Sequence, residues 1–107
     1  MEFAKGYTPI SKTASATAAT STLTIWTPAS GKRIALTDIE FSGPALAGNL
    51  TIYFDDTSIR AYEVFSSTAI GFHYQTPILS NTVNASLKVK GDVVGRLKVN
   101  ANGFELD

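Results

Sequence analysis

Apolar and polar residues alternate along this chain from about residue 20 to its C-terminal end. The clearest example is the stretch V-N-A-S-L-K-V over residues 83–89. A period of two places successive side chains on opposite faces of a β-strand. Gly, Pro, Asn, Asp and Ser separate one such stretch from the next, and β-branched residues are abundant. The pattern predicts an all-β chain without a helix of useful length.

The spacing of these stretches predicts about seven or eight strands in an antiparallel two-sheet sandwich, jelly-roll-like or immunoglobulin-like. In the segment 33–41 the apolar phase switches near Thr37 and Asp38, which requires a bulge or a bend. Such a bend is typical of a strand that serves two packed sheets. We expect strands over residues 22–27, 33–41, 49–54, 58–65, 68–75 and 83–89, a loop over 43–48, a turn at 55–58 and a final turn at Asn102 and Gly103.

The strand over residues 83–89 and the predicted strand that follows it form a hairpin around residues 91–93. This loop places Leu87 opposite Leu97, because the buried face normally fixes the register. Four cations then share the outer face of the hairpin: Lys88, Lys90, Arg96 and Lys98. They are either a contact surface for acidic residues of another copy, such as Asp55, Asp56 or Glu63, or charges that protect a sheet edge.

The N-terminal residues differ from the remainder of the chain. Residues 11–22 are small, polar and low in complexity, which favours an extended arm or a loose edge strand, with a disordered leader as the alternative. We therefore divide the chain into an extended or flexible arm over 1–20 and a sandwich over 21–107. The start MEFAKG lacks the features of a secretory signal, and no apolar stretch is long enough to span a membrane. We expect that the protein is made and kept in a cytoplasm, or released from one by lysis.

Charge and residue chemistry favour binding over catalysis. The nine basic and nine acidic side chains balance, which disfavours nucleic acid as a partner. His73 is the only histidine and is expected on the surface. Asp55 and Asp56 are expected in a solvated turn, and a calcium site is the alternative. Glu40 and Glu63 could in principle form the acid and base pair of a glycosidase. We expect no catalytic residues, no metal and no cofactor.

Four aromatic residues allow two interpretations. Trp26, Tyr53, Tyr62 and Tyr74 could form a platform that stacks on sugars if they emerge together on the surface. Aromatic residues occur just as readily in sandwich cores and at subunit interfaces, and this second interpretation is favoured.

Two segments resemble a known group of proteins. The sequence TPASGKRIALTDIEFS over residues 27–42, followed by GNLTIYFD over 48–55, resembles small β-sandwich structural proteins of tailed bacteriophages. The resemblance implies a virion component, either a capsid decoration protein or a tail-associated module, commonly homotrimeric and without a catalytic role.

These observations predict a structural virion protein that stabilises the phage head by multivalent binding to its own copies and to a capsid or tail lattice. The alternative is a carbohydrate-binding module for host recognition. The predicted interface comprises arm residues, apolar residues and a basic rim: Thr13, Thr17, Thr20, Tyr62, Phe65, Phe104, Lys88, Lys90, Arg96 and Lys98.

Overall fold

The structure is a computed structural model that describes residues 8–16, 22–91 and 96–106, without the side chains of 16, 44–47, 64–67 and 91. These residues are all-β, as predicted, and include no helix that could cross a membrane. The strands are β1 (Ile10–Ala16), β2 (Thr22–Trp26), β3 (Arg33–Phe54), β4 (Thr57–Leu79), β5 (Leu87–Gly91) and β6 (Leu97–Leu106).

The six strands form one long antiparallel hairpin that turns at Asp55 and Asp56. β1 pairs with β6, β2 with β5, and β3 with β4. In every described pair of this hairpin the two residue numbers add up to between 111 and 114, from Ile10 with Gly103 to Phe54 with Thr57. Asp55 has a positive φ of 52°, a conformation that Asp tolerates in tight hairpin turns. The turn predicted at residues 55–58 is therefore present, with its tip at Asp55 and Asp56.

The long hairpin is rolled into a sandwich because β3 also pairs with β5 and with β6. β3 and β4 each pass from one sheet to the other, so that the chain supplies eight strand segments in two four-stranded antiparallel sheets. The first sheet has the order β1, β6, residues 33–42 of β3, and residues 69–79 of β4. The second has the order β2, β5, residues 48–54 of β3, and residues 57–64 of β4. This rolled hairpin is the jelly-roll arrangement.

The core lies between the two sheets and follows the predicted alternation. Leu50, Ile52 and Phe54 from one half of β3 face Ile39 and Phe41 from the other half, and all five are buried. The two halves of the same strand thus contribute to both walls of the core. β5 and β6 add further buried residues: Leu87, Val89, Leu97, Val99 and Ala101.

The predicted bulge at Thr37 is confirmed. The register of β3 against both β4 and β6 shifts between Leu36 and Asp38, and Thr37 is buried at this point. Gly103 lies beside the bulge on β6, and a Cβ atom there would sit 2.0 Å from the carbonyl oxygen of Ala35. Glycine is needed here because the two backbones approach too closely for any side chain. The final turn predicted at Asn102 and Gly103 is therefore wrong, and both residues lie within β6.

A turn and a loop are joined at one end of the sandwich. Gly31, with a φ of 80°, completes the turn expected after Pro28, and its N–H donates to Oδ1 of Asn84 at 2.7 Å. Asn84 also has a positive φ, 66°, and its own N–H donates to the carbonyl oxygen of Lys32. The predicted strand over 83–89 is thus wrong in its first half: residues 81–86 form a loop, and β5 begins at Leu87.

Two further predictions fail because distant segments pair. The loop predicted over 43–48 is the part of β3 that crosses between the sheets. The predicted hairpin of β5 with β6 is also wrong, since β5 pairs with β2 and β3 whereas β6 pairs with β1 and β3. Leu87 lies opposite Trp26 and Phe54, not opposite Leu97.

The described part of the N-terminal segment belongs to the sandwich. Residues 10–16, assigned above to the arm over 1–20, form the edge strand β1 and pair with β6 along its full length. This corresponds to the edge-strand alternative, not to a separate arm. Residues 1–7 and 17–21 lie outside the described residues.

Candidate functional site

The outer face of the first sheet carries three rows of polar or small side chains, which we call the polar face. Each row crosses all four strands in register, because residues of one parity in each strand point away from the core. The rows are Ser11, Asn102, Asp38 and His73; Thr13, Asn100, Glu40 and Gly71; and Ser15, Lys98, Ser42 and Ala69. No aliphatic side chain larger than alanine lies in these rows, and the imidazole of His73 is their only aromatic ring.

Side-chain hydrogen bonds hold the β1 side of the polar face in place. Thr13 Oγ1 donates to Asn100 Oδ1 at 2.7 Å, and Ser11 Oγ donates to Asn102 Oδ1. Each bond joins directly opposite residues of β1 and β6. Such cross-strand pairs fix side-chain rotamers and strand register together. The two asparagines are thereby ordered before any partner binds.

Asp38 orders the β4 side of the polar face. Its Oδ1 lies 2.6 Å from His73 Nδ1, and its Oδ2 lies 2.9 Å from Thr37 Oγ1. The hydroxyl of Thr37 is also 3.0 Å from the carbonyl oxygen of Asn102, so it ties the bulge to β6. The side chain of His73 is 58% exposed, which confirms its predicted surface position.

A shallow groove of about 370 Å³ runs along the polar face beside Gly71. Asp38, Glu40, His73 and Asn100 line it, and a Cβ atom at Gly71 would lie 3.2 Å from Cγ of Glu40. Small-molecule sites are usually enclosed and largely apolar. This groove is open, and the apolar side chains of Phe41, Ile70 and Phe72 line it together with the polar ones.

The acidic residues considered for metal binding or hydrolysis occupy separate places. Asp55 Oδ1 accepts a hydrogen bond from the N–H of Ser86 at 2.9 Å, so this carboxylate joins its turn to the loop over residues 81–86. Glu40 lies on the outer face of the first sheet, whereas Glu63 pairs with Asn49 in the second. Within the described ranges, no three His, Asp or Glu residues are grouped so that they could hold a metal ion.

The predicted interface residues are distributed over several surfaces. Thr13 and Lys98 lie on the polar face, while Lys88 and Lys90 line a groove of about 330 Å³ on the outer face of the second sheet. Asp55 and Asp56 line the same groove of the same chain, and a contact of these cations with acidic residues of another copy stays a prediction. Exposed Arg96 precedes β6. The four cations therefore do not share the face of one hairpin.

The remaining interface predictions have different outcomes. Phe104 is only 6% exposed, so its side chain is not available on the surface of the chain, although it lies outside the core cluster and shares the outward parity of Asn100 and Asn102 in β6. Tyr62 is half-buried at the β4 side of the sandwich. Thr17, Thr20 and the side chain of Phe65 lie outside what the structure describes.

The four aromatic residues considered as a sugar platform do not come together. Trp26 is 1% exposed, and its indole Nε1 donates to Oε2 of Glu105 at 2.9 Å. Tyr53 lies in the groove of the second sheet. Tyr62 and Tyr74 contact each other, with their hydroxyl oxygens 2.7 Å apart. The core interpretation is thus correct for Trp26.

Tyr62 and Tyr74 belong to an edge cluster, which also contains Phe72 and Arg60. The ring of Tyr62 stacks on Phe72 with centroids 3.8 Å apart, and the Arg60 guanidinium lies 5.9 Å from the ring centroid of Tyr74. Burial, and then the hydrogen bond with Tyr62, raise the pKa of Tyr74 above that of an ordinary tyrosine, although Arg60 opposes the shift. The cluster joins the two halves of β4 across the edge of the core.

The sequence contains one signal for the polar face that local analysis does not use. Outward positions in both β3 and β6 are polar, namely Asp38, Glu40 and Ser42 in one and Lys98, Asn100 and Asn102 in the other. The signal becomes legible only when these strands are known to be neighbours. A turn at Asn102 would have ended β6 there and is incompatible with this pairing.

No protein-family model matches this chain, and no curated protein is significantly similar to it. The resemblance to phage structural proteins therefore stays a prediction.

Proposed function

We propose that this protein is a structural component of a virion, a capsid decoration protein that docks through its polar face on a repeating protein surface. The polar face is the observation that carries the proposal. It presents ordered hydrogen-bonding groups on a sheet, with a shallow groove in place of a deep cleft. The resemblance to phage sandwich proteins supplies the virion as the place of action.

The order within the polar face supports docking at low entropic cost. Side chains that are already hydrogen-bonded to one another lose little freedom when a partner covers them. Thr13 with Asn100 and Asp38 with His73 are such pairs. Each docked copy then needs only modest affinity, because a lattice offers many equivalent sites and linked copies bind with avidity.

Reconstitution with virus particles tests the proposal. The gene is deleted from the phage or prophage that encodes it, the particles are purified, and labelled protein is added back and sedimented with them. Wild-type protein is expected to saturate at a fixed number of copies per particle. Asn100→Lys places a long cation in the middle row and should weaken binding at least tenfold.

Thr24→Lys is the matched control, because Thr24 is exposed on the outer face of the second sheet and the charge change is the same. It should bind as the wild type does. Absence of wild-type binding, or equal binding by both variants, contradicts the proposal.

The carbohydrate-binding alternative gains no support from the aromatic residues, because Trp26 is buried and Tyr62 is paired with Tyr74. A glycan array separates the two functions. Reproducible sugar binding that is lost in Tyr53→Ala would favour the lectin and contradict the decoration protein.

A further inference from the structure

The outer face of the first sheet has a fourth row of side chains, which is apolar and lies next to the polar face. It contains Phe104 of β6, Ala35 of β3 and Leu79 of β4, which are paired in register. These side chains point away from the core, because Ile34 and Leu36 on either side of Ala35 point into it. We call the three residues the apolar row.

Two residues of the apolar row are buried although they lie on the outer face. Ala35 and Phe104 are both buried, yet neither belongs to the core cluster between the sheets. The outer face of an antiparallel sheet normally faces water. Asn100 and Asn102, which precede Phe104 in the same phase of β6, remain partly exposed. Something other than the sheet itself therefore covers Phe104 and Ala35.

The described residues do not supply this cover. β1, β6, β3 and β4 form the first sheet itself, and the second sheet lies on its inner side. The turn over residues 28–31 also lies on the inner side, because the N–H of Ala29 donates to Glu105, whose carboxylate accepts from the buried Trp26. The loop over 81–86 bonds to that turn and to the tip of the long hairpin. The cover must therefore come from a stretch outside the described ranges.

Most of these stretches are attached at the far end of the sandwich, where β1 ends, β6 begins and β3 and β4 cross between the sheets. They are residues 17–21 and 92–95 and the side chains of 16, 44–47, 64–67 and 91. That end of β6 lies about 23 Å from the apolar row. Asp107 is a single acidic residue and offers no apolar surface. This leaves the N-terminal residues.

Residues 1–7 are attached directly beside the apolar row. Ile10 pairs with Gly103, and the same register places Pro9 next to Phe104. Seven residues reach up to about 24 Å, whereas neighbouring strands are about 5 Å apart. The segment is therefore long enough to cross both β6 and β3.

We propose that residues 1–7 fold back across the outer face of the first sheet and that Phe3 covers the apolar row. Phe3 and Tyr7 are the aromatic residues of this segment. Tyr7 is too close to β1, because a continued register would set it opposite Leu106, beyond the row. Phe3 is far enough along the chain to return over the row, and Gly6 permits the reversal. Packed aromatic rings stabilise such a contact beyond the area that they bury.

The folded segment borders the polar face. The apolar row follows Asn102 in β6, so without a cover an aromatic ring and the polar groups would form one exposed surface. Exposed apolar patches promote association with other proteins. The cover removes this patch, and it replaces the free arm expected for residues 1–7 by a packed segment. The inference concerns the isolated chain and does not depend on the proposed docking.

Nuclear Overhauser spectra of the isotope-labelled full chain test the contact directly. Cross-peaks are expected from the ring protons of Phe3 to the ring of Phe104 and to the methyl group of Ala35. An isotope-filtered spectrum of mixed labelled and unlabelled chains should show no such cross-peak between copies. Absence of the cross-peaks overturns the inference, and so does their presence between two copies, which would assign the cover to a second molecule.

A double-substitution cycle tests the contact by a second route. Phe3→Ser should lower the urea midpoint of unfolding, because it uncovers the apolar row. In the background of Phe104→Ala the same substitution should shift the midpoint by less than half as much, since the contact is already lost. Phe104 lies outside the core cluster, so the chain should fold without its ring.

Lys5→Ser is the matched control within the segment and should leave the midpoint unchanged. Equal shifts by Phe3→Ser in the two backgrounds overturn the inference, as does an equal shift by Lys5→Ser and Phe3→Ser in the wild-type chain.

Discussion

The two edges of the first sheet are built in different ways. β1 is short, and polar bonds attach it to β6 through Ser11 and Thr13. It also carries Lys12 at a position in phase with Ile10 and Ala14, the residues of β1 that pack on the core. β4 has no charge in residues 64–79 and is held by the packing of aromatic rings. An inward-phase lysine is a common guard against edge pairing.

This difference teaches that edge protection is local. The chain places a charge in one edge and a bulge over residues 74–77, which includes Pro77, in the other, although both flank the same two central strands. The edge cluster covers the core at β4, so packing of its aromatic rings stabilises the sandwich there without a charged residue at the edge. The half-exposed row of Ile70, Phe72 and Tyr74 is the cost of that arrangement.

The largest predicted effect is the loss of packing at β4. Phe72→Ala removes the stack on Tyr62 and the contact with Phe41, and should lower the free energy of unfolding by about 3 kcal/mol. Ile10→Ala at the β1 edge should cost about 1 kcal/mol, because Ile10 is half-buried and makes fewer contacts. Urea unfolding at concentrations where each variant is monomeric measures both.

Phe72→Leu is the control for the aromatic contribution and should fall between the two values. Equal losses for Phe72→Ala and Ile10→Ala would show that the two edges contribute alike, and the comparison would fail.

A second prediction concerns alkaline pH and the edge cluster. The pKa of Tyr74 is raised by burial and by Tyr62, so the folded chain holds this proton at a pH where the unfolded chain has released it. Stability is fully present below the ordinary tyrosine pKa of about 10 and falls as the pH rises above it. After allowance for solvent screening at a half-exposed group, the loss by pH 12 should be about 1.5 kcal/mol.

Denaturant titrations at pH 8, 10, 11 and 12 measure this loss. Tyr74→Phe should be less stable than the wild type at pH 8, because a hydrogen bond is missing, but should lose less on the way to pH 12. Parallel curves for the two proteins would contradict the assignment. β1 contains no tyrosine, so the difference between the wild type and Tyr74→Phe reports on the β4 edge and not on β1.

Local sequence patterns predicted the strands and the phase switch but not their partners. The alternation in residues 49–54 and the switch at Thr37 depend on near neighbours, and both are confirmed. The hairpin around residues 91–93 failed because it assumed that consecutive strands pair. In the rolled hairpin β5 and β6 each find partners far away in sequence, and a pattern of period two carries no information about which strands those are.

The failure at residues 83–86 has a different cause. Asn84 adopts a positive φ, and its side chain accepts a hydrogen bond from the N–H of Gly31. Ala85 beside it is nevertheless buried, so this loop shows the same alternation of buried and exposed residues as a strand. Asn is among the residues that enter this conformation most readily. The polar face was only partly foreseen, through Thr13 and Lys98, because its rows exist only after four distant segments are aligned.

The smallest predicted change in stability tests the guard itself. Lys12 is exposed, so Lys12→Val should alter the free energy of unfolding by less than about 0.5 kcal/mol. It should nevertheless produce assemblies larger than those of the wild type in sedimentation velocity, because β1 becomes an uncharged edge as well. Lys98→Val is the matched control: it removes the same charge from the exposed face of β6, where both neighbouring strands are already paired. If both variants assemble, added surface hydrophobicity is the cause. If neither assembles, Lys12 does not protect the β1 edge. In either case charge does not explain the difference between the two edges.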